Sequence, residues 1–266
     1  MNYWTQSKDN VFVAAHRGWS EKYPENTIEA FKAAIEIGVD QLEMDIRITK
    51  DDQLVVIHDA KVDRTTNGTG FVRDFTLAEL KELDAGSHKG EEFKGAKIPT
   101  LIEFMELIKD NKEITVDFEL KEYPPQVDDA KMAEITDRII KIVDDYGYTD
   151  RCVINSFSAK IHEYVHGKYG NKYRQHVFYP IERLGECTID PYEYAYCACV
   201  FGKDSYIAEK EEFEELRGKY GIGTWAGAGV KDAASVDKAI ECGVELITCN
   251  NPDVILSLLR ERGKHK

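Results

Sequence analysis

Glu43, Asp45 and Arg47 stand at alternate positions of the segment Leu42-Glu43-Met44-Asp45-Ile46-Arg47-Ile48, and Asp117, Glu119 and Lys121 do the same beside Val116, Phe118 and Leu120. If both segments are strands, the period of two puts the charges on one face and the aliphatic residues on the other. Carboxylates gathered on an inward face repel one another and cost several kcal/mol unless compensated. A divalent cation is the economical compensation, and oxygen ligands suit Mg²⁺ or Ca²⁺. Two histidines join them. His16 ends an apolar run in Ala14-Ala15-His16-Arg17-Gly18, and His58 ends another in Leu54-Val55-Val56-Ile57-His58. Two histidines converging with Arg17, Lys121 and a set of carboxylates point to a functional cluster rather than to separate structural residues.

The elements that must position these residues are short and repetitive. Apolar, β-rich runs fall at residues 11–15, 40–46, 114–120, 152–156, 175–179, 195–201, 221–225 and 244–249, with helical patterns between them. Strand and helix in alternation imply a parallel sheet. The ninth run, 54–58, follows the second too closely for a parallel crossover and must return as an antiparallel hairpin. Eight strands remain, the number in a closed (β/α)₈ TIM-type barrel, whose usual length of about 250 residues suits a chain of 266. The expectation is one α/β domain over residues 1–266, with a small insertion at 59–99 after the second strand. If Asp51 and Asp52 form a two-residue turn, the hairpin sets His58 opposite Asp45. Asn26 reads as the N-cap of the first helix, with Glu29 three residues on, and Thr100 with Glu103 and Asp128 read as later caps.

Composition narrows the partners. Lys and Arg number 35 against 49 Asp and Glu, a net charge of −14. That balance argues against nucleic acid and against stable docking on anionic membranes, while a local cationic cluster still admits an anionic small molecule. No signal-like or spanning apolar stretch occurs, so a cytoplasmic location is expected. The 6 cysteines contain no Cys-x-x-Cys pair and read as reduced core thiols. His88, His162, His166, His176 and His265 receive no functional role, His162 and His166 being expected on a solvated helix face.

These residues, in this order, resemble the glycerophosphodiester phosphodiesterase family. The matching segments are His16-Arg17-Gly18, Pro24-Glu25-Asn26-Thr27, Glu43-Met44-Asp45, Val56-Ile57-His58-Asp59, Arg64-Thr65-Thr66-Asn67-Gly68, Leu83-Asp84-Ala85-Gly86, Ile98-Pro99-Thr100-Leu101 and Glu119-Leu120-Lys121, with weaker ones at Ser156-Phe157, Trp225 and Thr248-Cys249-Asn250-Asn251-Pro252. The resemblance implies a (β/α)₈ barrel with an insertion after the second strand, and hydrolysis of glycerophosphodiesters to glycerol 3-phosphate and an alcohol. It implies that Glu43, Asp45 and Glu119 hold one divalent cation, Mg²⁺ or Ca²⁺, that His16 and His58 are the acid–base pair, that Arg17 and Lys121 bind phosphate oxygens, and that Trp225 lines the pocket. The family often has polar residues after this tryptophan, whereas Ala226-Gly227-Ala228-Gly229 follow here. A lysophospholipase D-like barrel is the nearest alternative, but it would need an apolar acyl channel or a membrane surface. A non-catalytic phosphate-ester binding barrel is the other, and it would have no use for both histidines and the carboxylates.

Overall fold

In the first acidic segment every second side chain must be covered by helices, and the computed structural model shows how. It describes residues 10–202 and 208–266. Strand β2 (Gln41–Ile48) turns Leu42, Met44, Ile46 and Ile48 outward into the main hydrophobic core. There Phe31 of helix α1 (Ile28–Glu36) packs edge-on to Phe104, 4.8 Å between ring centres, and Phe104 in turn meets Phe118. The polar side chains of the strand are thereby left to the inside.

The remaining strands repeat this arrangement. They are β1 (Phe12–His16), β3 (Leu54–Val56), β4 (Thr115–Leu120), β5 (Cys152–Asn155), β6 (Arg174–Tyr179), β7 (Ala195–Val200), β8 (Gly223–Ala226) and β9 (Leu246–Cys249). All pair in parallel except β3, which runs antiparallel to β2. Because β1 pairs with both β2 and β9, the eight parallel strands close into a barrel, as the alternation of runs implied. Outside lie α1, α3 (Leu101–Ile108), α4 (Asp129–Asp145), α5 (Ala159–Tyr169), α6 (Lys210–Glu215), α7 (Ala233–Glu241) and α8 (Pro252–Glu261), while α2 (Leu77–Glu82) belongs to residues 59–99. That stretch folds over β3 around Val55, Ile57, Val62, Val72, Leu80, Ala85 and Ile98.

Three local expectations change. The hairpin register is one residue off the expected one: Ile46 pairs with Val56 and Arg47 with Val55, so Ile57 rather than His58 stands opposite Asp45. The loop is three residues, Lys50 to Asp52, with Asp52 at φ +60°, a left-handed conformation that aspartate tolerates. Thr49 stabilises that loop, its Oγ1 accepting from the Gln53 amide at 2.9 Å. The cap of α1 is Thr27, not Asn26: Thr27 Oγ1 accepts from the Ala30 amide at 3.3 Å, and Asn26, at φ +57°, is turned into the barrel mouth. Thr100 and Asp128 cap α3 and α4 as expected. His162 is not on a solvated face but fully buried. Its Nδ1 lies 2.8 Å from Gln175 Oε1 and its Nε2 3.0 Å from the Ser156 carbonyl oxygen. Of the cysteines, Cys152, Cys197, Cys199, Cys242 and Cys249 are buried free thiols, as composition suggested.

Candidate functional site

The inward side chains meet in layers. Ala14, Val153, Cys197, Trp225 and Leu246 form an apolar layer inside the barrel. The residues two positions further along each strand, namely His16, Asn155, Cys199, Gly227 and Thr248, line a cleft of about 480 Å³ at the strand ends. Barrel active sites lie at this C-terminal face. Trp225 therefore sits one layer beneath the cleft instead of lining it, its ring 4.6 Å from that of His176. Gly227 takes the lining position, and a Cβ there would stand 3.2 Å from both Cys199 Sγ and the Phe201 ring.

The structure brings the other seven expected residues together. One carboxylate oxygen from each of Glu43, Asp45 and Glu119 lies within 4.8 Å of the others, and all three residues are buried. Asp45 pairs with Lys121 Nζ at 3.0 Å and Arg17 Nε at 3.4 Å, and accepts from Asn26 Nδ2 at 2.8 Å. Lys121 also binds Glu119. Glu43 is compensated least: one oxygen accepts from the Arg17 amide at 2.8 Å, and Oε1 has no hydrogen-bond partner among the described residues. The titrations follow this division. Burial, reinforced by Asp45, Glu119 and Asp117, pushes Glu43 well above the ordinary range. Burial acts on Asp45 in the same sense, but Lys121 and Arg17 outweigh it and hold that carboxyl low. An orphaned, buried oxygen beside two more hard carboxylates fits a divalent cation and would be costly without one.

Each histidine is oriented by a partner. His16 Nδ1–H donates to Asn250 Oδ1 at 2.6 Å, leaving Nε2 facing Glu43 at 3.9 Å. Burial, with Arg17 next to it, lowers the His16 pKa to about 4, so the ring is neutral near pH 7. His58 leaves the strand after Ile57, and its carbonyl accepts from Arg47 Nε at 2.8 Å. This is how it reaches the cleft despite the shifted register. Its Nδ1 pairs with Asp59 Oδ1 at 2.6 Å. Asp59 is in turn gripped by Arg64, whose other edge grips Glu25, and Glu25 binds Arg17 at 2.9 Å. Residues 59–99 thus lock His58 and Arg17 into one network. Arg17 itself is at φ +58°, and Gly18 beside it is obligatory, since a Cβ there would lie 2.7 Å from the Ala30 backbone. Strain of this kind persists where the surroundings over-determine it.

The residue-by-residue reading missed Asp59, Glu25, Arg64 and Asn250, which act through the expected residues, and also Asp117 and His176. The signal for the last two was present. Asp117 shares the acidic face of β4, and His176 alternates in phase with Phe178 on β6, as the other inward positions do.

The buried His162 gives the first testable consequence. Burial lowers its pKa from 6.5 to about 4, against which its hydrogen bonds are too weak. Between those values the unfolded chain binds a proton that the folded one refuses, so stability is full above pH 6.5 and falls as pH drops toward 4. The melting temperature should decline over that window, and less steeply in a His162→Asn protein. Equal slopes for the two proteins would remove His162 as a cause.

Among the described residues no helix is long and apolar enough to cross a membrane. The model of the glycerophosphoryl diester phosphodiesterase family matches residues 16–254. A glycerophosphodiester phosphodiesterase of Caldanaerobacter subterraneus subsp. tengcongensis is 38% identical over 259 residues, 95% of this chain and 99% of that protein. Among solved structures, the glycerophosphodiester phosphodiesterase of Agrobacterium tumefaciens superposes with a TM-score of 0.72 at 26% identity, over 92% of this chain and 98% of that one. An Oleispira antarctica phosphodiesterase in complex with the product sn-glycerol-3-phosphate shares the fold, with a TM-score of 0.80 at 23% identity over 94% and 96% of the two chains. With its barrel, its acidic cleft and a match that spans nearly its whole length, this chain belongs to the glycerophosphoryl diester phosphodiesterase family.

Proposed function

We propose that this protein is a divalent-cation-dependent hydrolase that cleaves glycerophosphodiesters to glycerol 3-phosphate and an alcohol. The observation that carries the reading is the convergence, in one cleft, of three buried carboxylates with two histidines that have separate orienting partners. A binding module would gain nothing from an uncompensated Glu43 or from two such histidines. The name of the Caldanaerobacter relative and the product held by the Oleispira structure support the same substrate class.

In this reading Glu43, Asp45 and Glu119 hold the cation, which would supply positive charge against the phosphoryl oxygens. Arg17 offers a planar fork and Lys121 a point charge to the same oxygens, both from the cleft wall. His16 and His58 move protons on either side of the phosphorus. The substrate is an anion, and Arg17, Lys121 and Lys231 together with the cation would offset the carboxylates of the cleft in a chain of net charge −14.

The test is a panel of glycerophosphodiesters and lysophosphatidylcholine given to the purified protein with Mg²⁺ or Ca²⁺, and again with excess chelator. Cation-dependent release of glycerol 3-phosphate from several diesters is expected, and full activity in chelator would refute the reading. Preference for lysophosphatidylcholine would favour the lysophospholipase D alternative.

The Asp59–His58 pair carries a prediction of its own. Asp59 accepts from Nδ1–H and so fixes which ring nitrogen faces the substrate. An Asp59→Asn protein should lose about two orders of magnitude in kcat, the lower range for general acid–base catalysis, with KM little changed. Unaltered kcat would show that His58 needs no such partner.

A further inference from the structure

The cleft contains a second polar cluster that the proposed chemistry does not use. Asp117 on β4 and His176 on β6 reach across the barrel interior above β5, with Asp117 Oδ2 at 2.7 Å from His176 Nδ1. Asn155 of β5 stands beside them, the register partner of His176. The three side chains are deeply buried, at 0%, 3% and 2% exposure, and only His176 touches a described partner through its ring nitrogens. Asp117 Oδ1, His176 Nε2 and Asn155 Oδ1 have no hydrogen-bond partner among the described residues, yet all three residues line the cleft. Buried polar atoms left in this way are rare and call for an explanation.

The unmet demand has a definite chemistry. The Asp117 carboxylate oxygens accept, Oδ2 from His176 Nδ1–H, and the Asn155 amide both accepts and donates. An acceptor oxygen of Asp117 and an amide that both accepts and donates therefore line one end of the cleft. A phosphate oxygen cannot satisfy Asp117 Oδ1, and a trimethylammonium group has no N–H to offer. Nor are the neighbouring rings free to cage such a cation. Phe157 and Phe178 stack on each other at 3.6 Å, Lys121 lies over Phe157, and Arg183 lies over Phe201 at 4.4 Å. What fits is a hydroxyl.

The cluster also lies at the closed end of the cleft. His176 rests on Trp225 of the apolar layer below, so nothing placed there can leave through the floor. A departing alcohol belongs toward the mouth, and the closed end suits the part that every substrate shares. Of the two glycerol hydroxyls, the one next to the phosphate ester must lie by the phosphorus, which leaves the terminal one.

Resting on the hydrolase reading above, we infer that Asp117, His176 and Asn155 form a subsite for the terminal hydroxyl of the glycerol moiety. These are specificity-determining residues. A lysophospholipid esterified at that oxygen presents no hydroxyl there and is rejected by the carboxylate oxygen it leaves unmet as well as by bulk.

The experiment compares glycerol 3-phosphate with propanediol phosphate, which lacks only the terminal hydroxyl, in calorimetric binding. It then compares hydrolysis of the choline and ethanolamine diesters of both alcohols. Wild-type protein should bind glycerol 3-phosphate at least about tenfold more tightly, as one well-made hydrogen bond allows, and its kcat/KM should show the same ratio. In His176→Leu and Asn155→Leu proteins the ratio should shrink to threefold or less, by roughly the amount that one lost hydrogen bond removes. Because each ratio is taken within one protein, a general loss of stability does not imitate the effect. Equal binding of the two ligands by the wild type overturns the inference, as does hydrolysis that ignores the terminal hydroxyl. Variants that change only the choline-to-ethanolamine preference overturn it too, by assigning the cluster to the leaving group. Discrimination in binding without any hydrolysis leaves the subsite standing and removes the hydrolase reading.

Discussion

A Glu43→Gln protein is expected to lose about three orders of magnitude in turnover while melting no lower than the wild type in chelator. The activity loss follows from the proposed role of the triad, since several kcal/mol of charge stabilisation at the phosphoryl group would go with the cation. The retained stability follows from this chain's own geometry. Glutamine keeps an oxygen for the Arg17 amide, the one hydrogen bond that Glu43 makes as an acceptor at 2.8 Å. It removes a charge that burial, Asp45, Glu119 and Asp117 all disfavour. Most buried-to-polar substitutions cost stability, so the combination of an inactive site and an undiminished melting temperature is specific. The wild type should also gain melting temperature when Mg²⁺ or Ca²⁺ is added, as any ligand selective for the folded state requires, and the variant should gain little. Near-normal turnover by Glu43→Gln would remove the triad from the chemistry.

The sequence exposed the barrel because apolar runs and helical stripes alternate, and because a parallel strand with charges on one face has to aim them inward. It exposed the triad and Lys121 for the same reason, as period two is a strict rule once the strand is granted. What it hid depended on contacts between distant segments. The hairpin register turned on whether the loop held two residues or three, a choice made by the left-handed Asp52 and the Thr49 hydroxyl rather than by any apolar pattern. Even so, His58 arrives in the cleft, because it has left the strand before its side chain is aimed. The Asp117–His176 bond joins positions 59 residues apart, so their pairing was hidden although the inward phase of each could be read from its own strand. Trp225 was assigned to the pocket on resemblance, yet counting two positions forward from it reaches Gly227, and that count places the tryptophan one layer too deep. His162 illustrates the opposite error, a titratable residue on a helix taken for a solvated one when its partners, Gln175 and the Ser156 carbonyl, are supplied by neighbouring elements.

Deleting the hydroxyl adjacent to the phosphate ester should cost the enzyme more than any substitution in the orienting shell. Among the described residues, the ring nitrogens of His16 and His58 bond Asn250 and Asp59 rather than a serine or threonine hydroxyl or a cysteine thiol, Thr248 of the cleft wall included. Cys199, which does line the cleft, is buried, and burial raises its pKa far above the range of a useful thiolate. A covalent intermediate on a serine, threonine or cysteine of the protein is therefore not indicated. The substrate carries one. Its hydroxyl oxygen would attack phosphorus as one histidine removes the proton. The bond from phosphorus to the alcohol would break as the other histidine supplies a proton to the leaving oxygen. Water would then open the resulting cyclic phosphate with the two histidines exchanging roles, giving glycerol 3-phosphate. His16, held neutral by burial and Arg17, and His58, tied to Asp59, are suited to hold and return protons at these two oxygens. Attack from within the same molecule is worth effective molarities of about 10⁵ M or more against water at about 55 M, so replacing that hydroxyl by hydrogen should lower kcat/KM for glycerophosphocholine by at least about three orders of magnitude. The terminal hydroxyl, by contrast, governs binding and should cost about tenfold when removed. The two deoxy analogues thus separate attack from recognition within one assay. Comparable hydrolysis of glycerophosphocholine and the analogue lacking the adjacent hydroxyl would mean that water attacks phosphorus directly, with one histidine deprotonating it and no cyclic phosphate on the path.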